Sequence, residues 1–206
     1  MKRIILTIII FFSITVNVLA DTDFEVAKAE LEELGIIENS DYNAESITRA
    51  EMIQIMYRMT NGAPIVHRSF LRTPSDKFED MDEDYWAYEY IETFRYSMII
   101  FGHGNGYFRP DDFITYAEMV TIIVRTLGWG IIEYGLEFPY RYLNIAQEWV
   151  RISIYVEDIH EKVSISSAVP IIYQALHAST LEYVPWRLGQ ATFERAPSFY
   201  ERRNVE

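Results

Sequence analysis

Apolar residues recur along this chain at spacings that predict short helices, each buried on one side. Two such sets show intervals of four and then three residues: Ala27, Leu31 and Leu34; Ala87, Ile91 and Phe94. A fainter third set, Ala146, Val150 and Ser153, repeats the spacing with a serine at its last position. Because positions three and four apart share one face of an α-helix, each set predicts a helix with a single apolar stripe. The pattern predicts a chain built from repeated helical units.

A second helix is predicted in each unit, and in two units its start carries a capping sequence. Residues 47–51 read Ile-Thr-Arg-Ala-Glu, residues 114–118 read Ile-Thr-Tyr-Ala-Glu, and an apolar stripe follows each. In such a sequence the Thr hydroxyl accepts from the Glu backbone N–H, and the Glu carboxylate accepts from the Thr N–H. Thr48 with Glu51 and Thr115 with Glu118 are therefore predicted helix caps, and they are also candidate binding groups.

The third unit is the faintest, and the start of its second helix is ambiguous. A cap at Ser164 matches the first unit but places Pro170 inside the helix. A cap at Ser166 or Ser167 places Pro170 near the first turn, where the missing N–H is better tolerated. We prefer the second register on these grounds.

The first twenty residues have the features of a cleaved export signal. Lys2 and Arg3 precede an apolar run over 4–16, and Val18 and Ala20 supply small residues before Asp21. An uncleaved anchor is the alternative, but the run is shorter than the ~20 residues that a spanning helix needs. The predicted organisation is a signal peptide (1–20), a first unit (21–61), a linker (62–77), a second unit (78–128), a third unit (129–179) and a tail (180–206).

Composition excludes several classes of protein. The formal net charge of -13 argues against a nucleic-acid binder, which needs a basic face. The absence of cysteine excludes disulfides and thiolate metal sites. The acidic run 80–84 resembles a calcium loop, but Tyr85 stands where that loop needs Gly, so we interpret it as a solvated turn. No catalytic trio is visible, and we expect no enzyme activity, metal or cofactor.

The second unit resembles an S-layer homology (SLH) repeat. The resemblance rests on Phe-Glu-Asp at 78–80, Trp-Ala at 86–87, the glycine loop and Phe-Arg-Pro-Asp over 99–111, and Ile-Thr-Tyr-Ala-Glu at 114–118. The first unit keeps the Ile-Thr-Arg-Ala-Glu sequence but lacks the Trp and the glycine loop, and the third is degenerate. The resemblance implies an all-α fold in which three helix-loop-helix repeats form a pseudo-threefold bundle.

The resemblance also implies an exported protein that is held non-covalently at the cell wall, in the S-layer. In that family, grooves between repeats bind a wall polysaccharide, which commonly bears a pyruvate ketal. Other surface-layer proteins are further expected partners, and no nucleic acid or membrane is expected after signal cleavage. The glycan-binding residues it implies are Arg49, Thr48, Glu51, Trp86, Gly102, Gly106, Thr115 and Glu118.

Two features leave an alternative open. Tyr116 occupies the place of the second arginine, and the third unit has none there. A degenerate module that serves as an interaction scaffold without glycan binding is therefore the rival hypothesis. For the individual residues, we expect Arg49 to be exposed and to contribute little to folding, whereas Trp86 is either a core residue or a stacking platform.

Overall fold

Helices make up about half of the described residues in the computed structural model, which describes residues 24–38, 46–64, 77–132, 138–154, 156–187 and 190–204. In chain order the elements are α1 (24–33), α2 (Arg49–Met59), α3 (Tyr88–Tyr96), α4 (Tyr116–Thr126), a 3₁₀ turn (Trp129–Ile132), α5 (Tyr140–Asn144), a π-helical segment (Ile145–Val150), α6 (Ile165–His177), β1 (Thr180–Arg187), β2 (Gln190–Ala196) and α7 (Phe199–Arg203). The predicted signal peptide and residues 65–76 of the predicted linker lie outside the described residues.

The first helix of each unit ends in the same way. A residue with positive φ closes it, and a fully buried isoleucine follows. The closing residues are Gly35, Met98 and Arg151, with φ of 64°, 56° and 67°. The isoleucines are Ile36, Ile99 and Ile152, none more than 2% exposed. The three predicted helices therefore share one type of C-terminus, although only one of them has glycine there.

The π-helical segment accounts for the displaced pattern of the third unit. The N–H groups of Ile36 and Ile99 each donate to a carbonyl five residues back, whereas that of Ile152 donates to Ala146, six residues back. The wider turn thus accommodates one extra residue before the same helix end. Ala146 and Val150 are buried as predicted, but the prediction for Ser153 is wrong, because that residue lies beyond the helix and is exposed.

The second helices begin at hydroxyl caps. Thr48 and Thr115 form complete capping boxes with Glu51 and Glu118, as predicted. The preferred register for α6 is wrong, since its N-cap is Ser164 and Pro170 lies inside the helix. Ser164 accepts from the Ser167 N–H at 3.2 Å. The cap is therefore kept in the register of the first two units, with proline tolerated in the second turn.

A closed ring of backbone hydrogen bonds joins the residues just before these three caps. The Ile47 N–H donates to Val163 O at 2.8 Å, the Val163 N–H to Ile114 O at 3.0 Å, and the Ile114 N–H to Ile47 O at 3.0 Å. All three side chains are completely buried. The ring therefore lies in the core and fixes the starts of α2, α4 and α6 relative to one another.

In the described part of the tail, a small two-stranded sheet is added to a largely helical fold, so the expectation of an all-α fold holds only in part. β1 and β2 form an antiparallel hairpin in which Thr180 pairs with Ala196, with an irregularity after Val184. In α7, which follows, Phe199 is buried. The Arg203 guanidinium donates to Leu34 O at 3.3 Å, to Met59 O at 3.5 Å and to Arg58 O. The tail thus covers the C-terminal ends of α1 and α2. Among the described helices, none is both long and apolar enough to cross a membrane.

Candidate functional site

Arg49 lies at the boundary between the first two units and is buried, at 5% exposure. Its Nη1 contacts Glu118 Oε1 at 2.5 Å, its Nε donates to Phe108 O at 2.9 Å, and its guanidinium carbon lies 4.7 Å from the centre of the Phe108 ring. Burial lowers the pKa of Arg49, and the carboxylate of Glu118 opposes that shift. The expectation of an exposed Arg49 is therefore wrong, because its partner comes from the helix start of the next unit.

Glu118 serves two structural roles at once. Its Oε2 accepts from the Thr115 N–H at 3.0 Å, which completes the cap of α4, while its Oε1 holds Arg49. Glu51 has only the first of these roles, accepting from the Thr48 N–H at 2.6 Å. The structure thus brings Arg49, Thr115 and Glu118 into one cluster and leaves Thr48 and Glu51 as a separate cap.

The backbone N–H groups at these helix starts have partners within the protein. The N–H groups of Arg49 and Ala50 donate to Asp112 O and Pro110 O, both at 2.9 Å. In α4, Tyr116 N–H donates to Glu161 O at 3.2 Å. Each helix start is therefore covered by a loop of the following unit, and these N–H groups are not free to hold an anion.

The glycine loop folds tightly against the start of the second unit. A Cβ on Gly102 would lie 2.6 Å from Tyr107 O and 2.7 Å from the Phe78 ring, so no larger residue fits there without movement. Gly106 has a φ of 85° and accepts from the Glu79 N–H at 3.0 Å. Both glycines therefore act by shaping the loop.

Asp80 anchors the far side of this loop. Its carboxylate accepts from the Phe108 N–H at 2.8 Å and from the Arg109 N–H at 2.6 Å. The interpretation of residues 80–84 as a solvated turn is therefore wrong for Asp80. Among the described residues, no group of three or more His, Asp or Glu side chains is arranged to hold a metal ion.

Arg109 is a candidate binding residue that the sequence reasoning missed. Its φ is 58°, its backbone is held by Asp80, and its side chain is exposed. Its positive charge repels that of Arg49 and so contributes to the lowered pKa of Arg49. The available signal was its place in the Phe-Arg-Pro sequence that closes the glycine loop.

His103, in the glycine loop, is influenced by the charges of both arginines. Its Nε2 is buried and has no hydrogen-bond partner. Burial lowers the pKa of His103, and the charges on Arg49 and then Arg109 lower it further, against the opposing effects of Glu118 and Asp112. Both arginines therefore lie close enough to His103 to act on its charged form.

Trp86 contributes an exposed aromatic face near the same loop. It is 52% exposed, which rules out the core alternative. The Tyr85 ring lies 5.7 Å from it, and the Tyr85 hydroxyl donates to Asp111 Oδ1 at 2.8 Å, which connects the aromatic residues to the loop. We call the surface formed by Arg49, Trp86, His103, Arg109 and Glu118 the inter-unit surface.

The second unit also matches known proteins. Residues 77–120 match the S-layer homology domain family. A "Cell surface protein" of Thermoanaerobacter kivui is 29% identical over 50% of this chain and 13% of its own length. A "Middle cell wall protein" of Brevibacillus brevis and a "Surface layer protein" of Brevibacillus choshinensis are each 30% identical over 53% of this chain and 10% of their own lengths. The chain thus spans only about a tenth of the length of these relatives. The similarity to the S-layer homology domain therefore lies in the second unit, over residues 77–120.

Proposed function

We propose that this protein is held at the cell surface by binding an anionic wall polysaccharide at the inter-unit surface. One observation carries the proposal: the exposed side chain of Arg109 adds a second positive charge close to Arg49, at the loop that closes the second unit. The chain as a whole carries a formal net charge of -13. A local field opposite in sign to the overall charge is a feature of sites that attract a charged ligand.

The cell-surface location is the firmest part of this function. The S-layer homology domain and the relatives' names, which refer to the cell surface, the cell wall and the surface layer, support an exported structural protein of the cell surface. The type of wall polymer and the residues that bind it are our proposal.

Two residues offer groups that suit an acidic saccharide. Arg109 presents a guanidinium, which can donate two parallel hydrogen bonds to a carboxylate such as that of a pyruvate ketal. The exposed face of Trp86 can pack against the apolar C–H face of a sugar ring. Arg49 contributes its charge from beneath the surface, since its guanidinium is already bonded to Glu118 and Phe108.

We also propose that the three units form a pseudo-threefold bundle. The closed ring of hydrogen bonds between Ile47, Ile114 and Val163 supports this arrangement, because each segment donates to one neighbour and accepts from the other. Only the start of the second helix of each unit takes part in this ring.

The scaffold hypothesis has an observation of its own in its favour. The one arginine within an intact Ile-Thr-Arg-Ala-Glu sequence is neutralised by Glu118, and the neighbouring N–H groups already donate to protein carbonyls. Such a site would stabilise contact between units without binding any ligand. The two functions differ in whether wall binding depends on the polysaccharide.

The test is sedimentation of the protein with purified cell-wall sacculi, with and without their polysaccharide. The variants are Arg109→Asn, which removes the charge with a residue that tolerates positive φ, and Trp86→Ala. Lys28→Ala and Tyr96→Ala are matched controls, since they remove an α1 lysine and a similarly exposed aromatic side chain on α3.

We expect binding only to sacculi that retain polysaccharide. Arg109→Asn should lose at least ten-fold in affinity, because a hydrogen bond to a charged group contributes about 1.5–3 kcal/mol. Trp86→Ala should also bind more weakly, because it removes the aromatic face that packs against the sugar ring. The controls should bind like the unaltered protein. Binding that is equal on both kinds of sacculi, or that neither test variant weakens, would favour the scaffold.

A further inference from the structure

A second aromatic surface lies where the hairpin meets the third unit. Trp129 forms its buried base, at 2% exposure, and its indole N–H donates to Ser179 O at 3.1 Å. The Trp149 ring lies 6.2 Å from the Trp129 ring and is 51% exposed. Trp149 belongs to the π-helical segment, a type of distortion that is frequent at functional sites.

Arg195 of β2 is fixed beside these rings. Its Nη1 donates to Ser179 Oγ at 2.9 Å and its Nη2 to the backbone oxygen of Trp149 at 3.0 Å. Its guanidinium carbon lies 5.0 Å from the centre of the Trp129 ring. Because a guanidinium has five N–H donors, these two hydrogen bonds leave others for an outside acceptor. The side chain is exposed, so such an acceptor can reach it.

Phe193 extends the apolar part of the same surface. It lies two residues before Arg195 on β2, and residues two apart on a strand point to the same side. Its side chain is 45% exposed. We call the surface formed by Trp149, Phe193 and Arg195, with Trp129 beneath it, the hairpin surface.

The hairpin surface is remote from the inter-unit surface. Glu118 lies in the first turn of α4, whereas Trp129 follows the end of that helix. With a rise of 1.5 Å per residue, the 11 residues of α4 separate the two regions by roughly 16 Å. A small ligand therefore cannot contact both surfaces at once.

We propose that the hairpin surface is a second carbohydrate site, specific for N-acetylhexosamine glycans. The C–H face of one sugar ring packs on Trp149, since an aromatic face and an apolar sugar face both gain by leaving water. Arg195 donates to the acetamido oxygen, and the acetamido methyl contacts Phe193. A location at the cell surface, which the relatives' names support, would bring this surface close to wall glycans. The proposal does not depend on the inter-unit surface binding polysaccharide.

The test is isothermal titration calorimetry of the full chain with chitotetraose, a soluble tetramer of N-acetylglucosamine. The main variant is Trp149→Ala, which removes the ring but keeps the backbone oxygen that holds Arg195. Tyr96→Ala is the matched control, because Tyr96 is 62% exposed on α3. Far-UV circular dichroism of each variant reports whether the fold is kept.

We expect measurable binding by the unaltered protein and at least a ten-fold loss in Trp149→Ala. Trp149→Tyr should bind with intermediate affinity, and it supplies the comparison if the alanine variant does not fold. In the unaltered protein, the indole N–H signal of Trp149 should shift in the NMR spectrum when chitotetraose is added.

The proposal would be overturned by the absence of binding at millimolar chitotetraose, by unchanged affinity in both Trp149 variants, or by an indole signal that does not shift. If Arg109→Asn lost chitotetraose binding while Trp149→Ala kept it, the glycan would bind at the inter-unit surface, and the hairpin surface would not be a site.

Discussion

Replacing Arg49 with alanine should destabilise the protein strongly. The change removes the 2.5 Å contact with Glu118, the hydrogen bond to Phe108 O and the packing of the guanidinium on the Phe108 ring. Breaking a buried ion pair from one side costs about 3–5 kcal/mol. Since the Glu118 side chain keeps 23% exposure, water can partly solvate the carboxylate that remains. We therefore expect a loss of about 3 kcal/mol from the free energy of unfolding.

Urea unfolding followed by circular dichroism measures this loss directly. Arg49→Lys should lose less, because it keeps a charge but lacks the fork that bonds Phe108 O and Glu118 together. The double variant Arg49→Met, Glu118→Gln tests the energetic coupling between the two side chains. Because it leaves no unpaired charge, it should lose less stability than the sum of the losses in the two single variants.

A loss below about 0.5 kcal/mol in Arg49→Ala, the range of an ordinary surface substitution, would refute this reasoning. It would mean that the guanidinium is solvated and that Glu118 does not depend on it. The same result would restore Arg49 as a candidate for direct ligand contact. Reduced wall binding by Arg49→Ala is informative only once this stability measurement has been made.

Three further changes test other parts of the structure. Burial and the arginine charges lower the pKa of His103, so the folded state favours the neutral ring. The contribution of His103 to the free energy of unfolding should be fully present above pH ~6.5 and decline as the pH falls below it. In His103→Asn, the free energy of unfolding measured in urea should depend less on pH in that range. Gly102→Ala should cost about 1–3 kcal/mol through its clash with Tyr107 O, while Gly104→Ala, where a Cβ meets nothing within 4 Å, should be close to neutral in the same assay. Arg203→Ala should lower the melting temperature, with a loss of about 2 kcal/mol, because it removes the donors that cover the ends of α1 and α2; an unchanged melting temperature would show that α7 contributes no stability there.

Local features of the fold could be predicted from the sequence, because their determinants lie within a few residues of each other. The capping boxes at Thr48 and Thr115 are examples, since the hydroxyl and the carboxylate of each are three residues apart. The stripe Ala87, Ile91 and Phe94 is fully buried for the same reason. Each of these depends only on helical geometry.

The features that were missed depend on contacts that are distant in sequence or on irregular backbone. Arg49 is buried by Glu118, 69 residues away, and no local pattern indicates that pairing. The third unit was misjudged at Ser153 because the π-helical segment shifts the register by one residue. The hairpin did leave a signal, as Gly189 separates two runs rich in aromatic and β-branched residues, but Pro185 within the first run argued against a strand.

The ring formed by Ile47, Ile114 and Val163 has a topological consequence. In an open solenoid the last repeat always leaves one face free, so repeats can be added or lost at either end. Here each of the three segments both donates and accepts, and the third returns to the first. A fourth segment could enter this ring only by breaking one of these bonds, so the ring is closed at three segments. Because the bonds are made by backbone atoms, side chains outside the ring can diverge while the count stays at three.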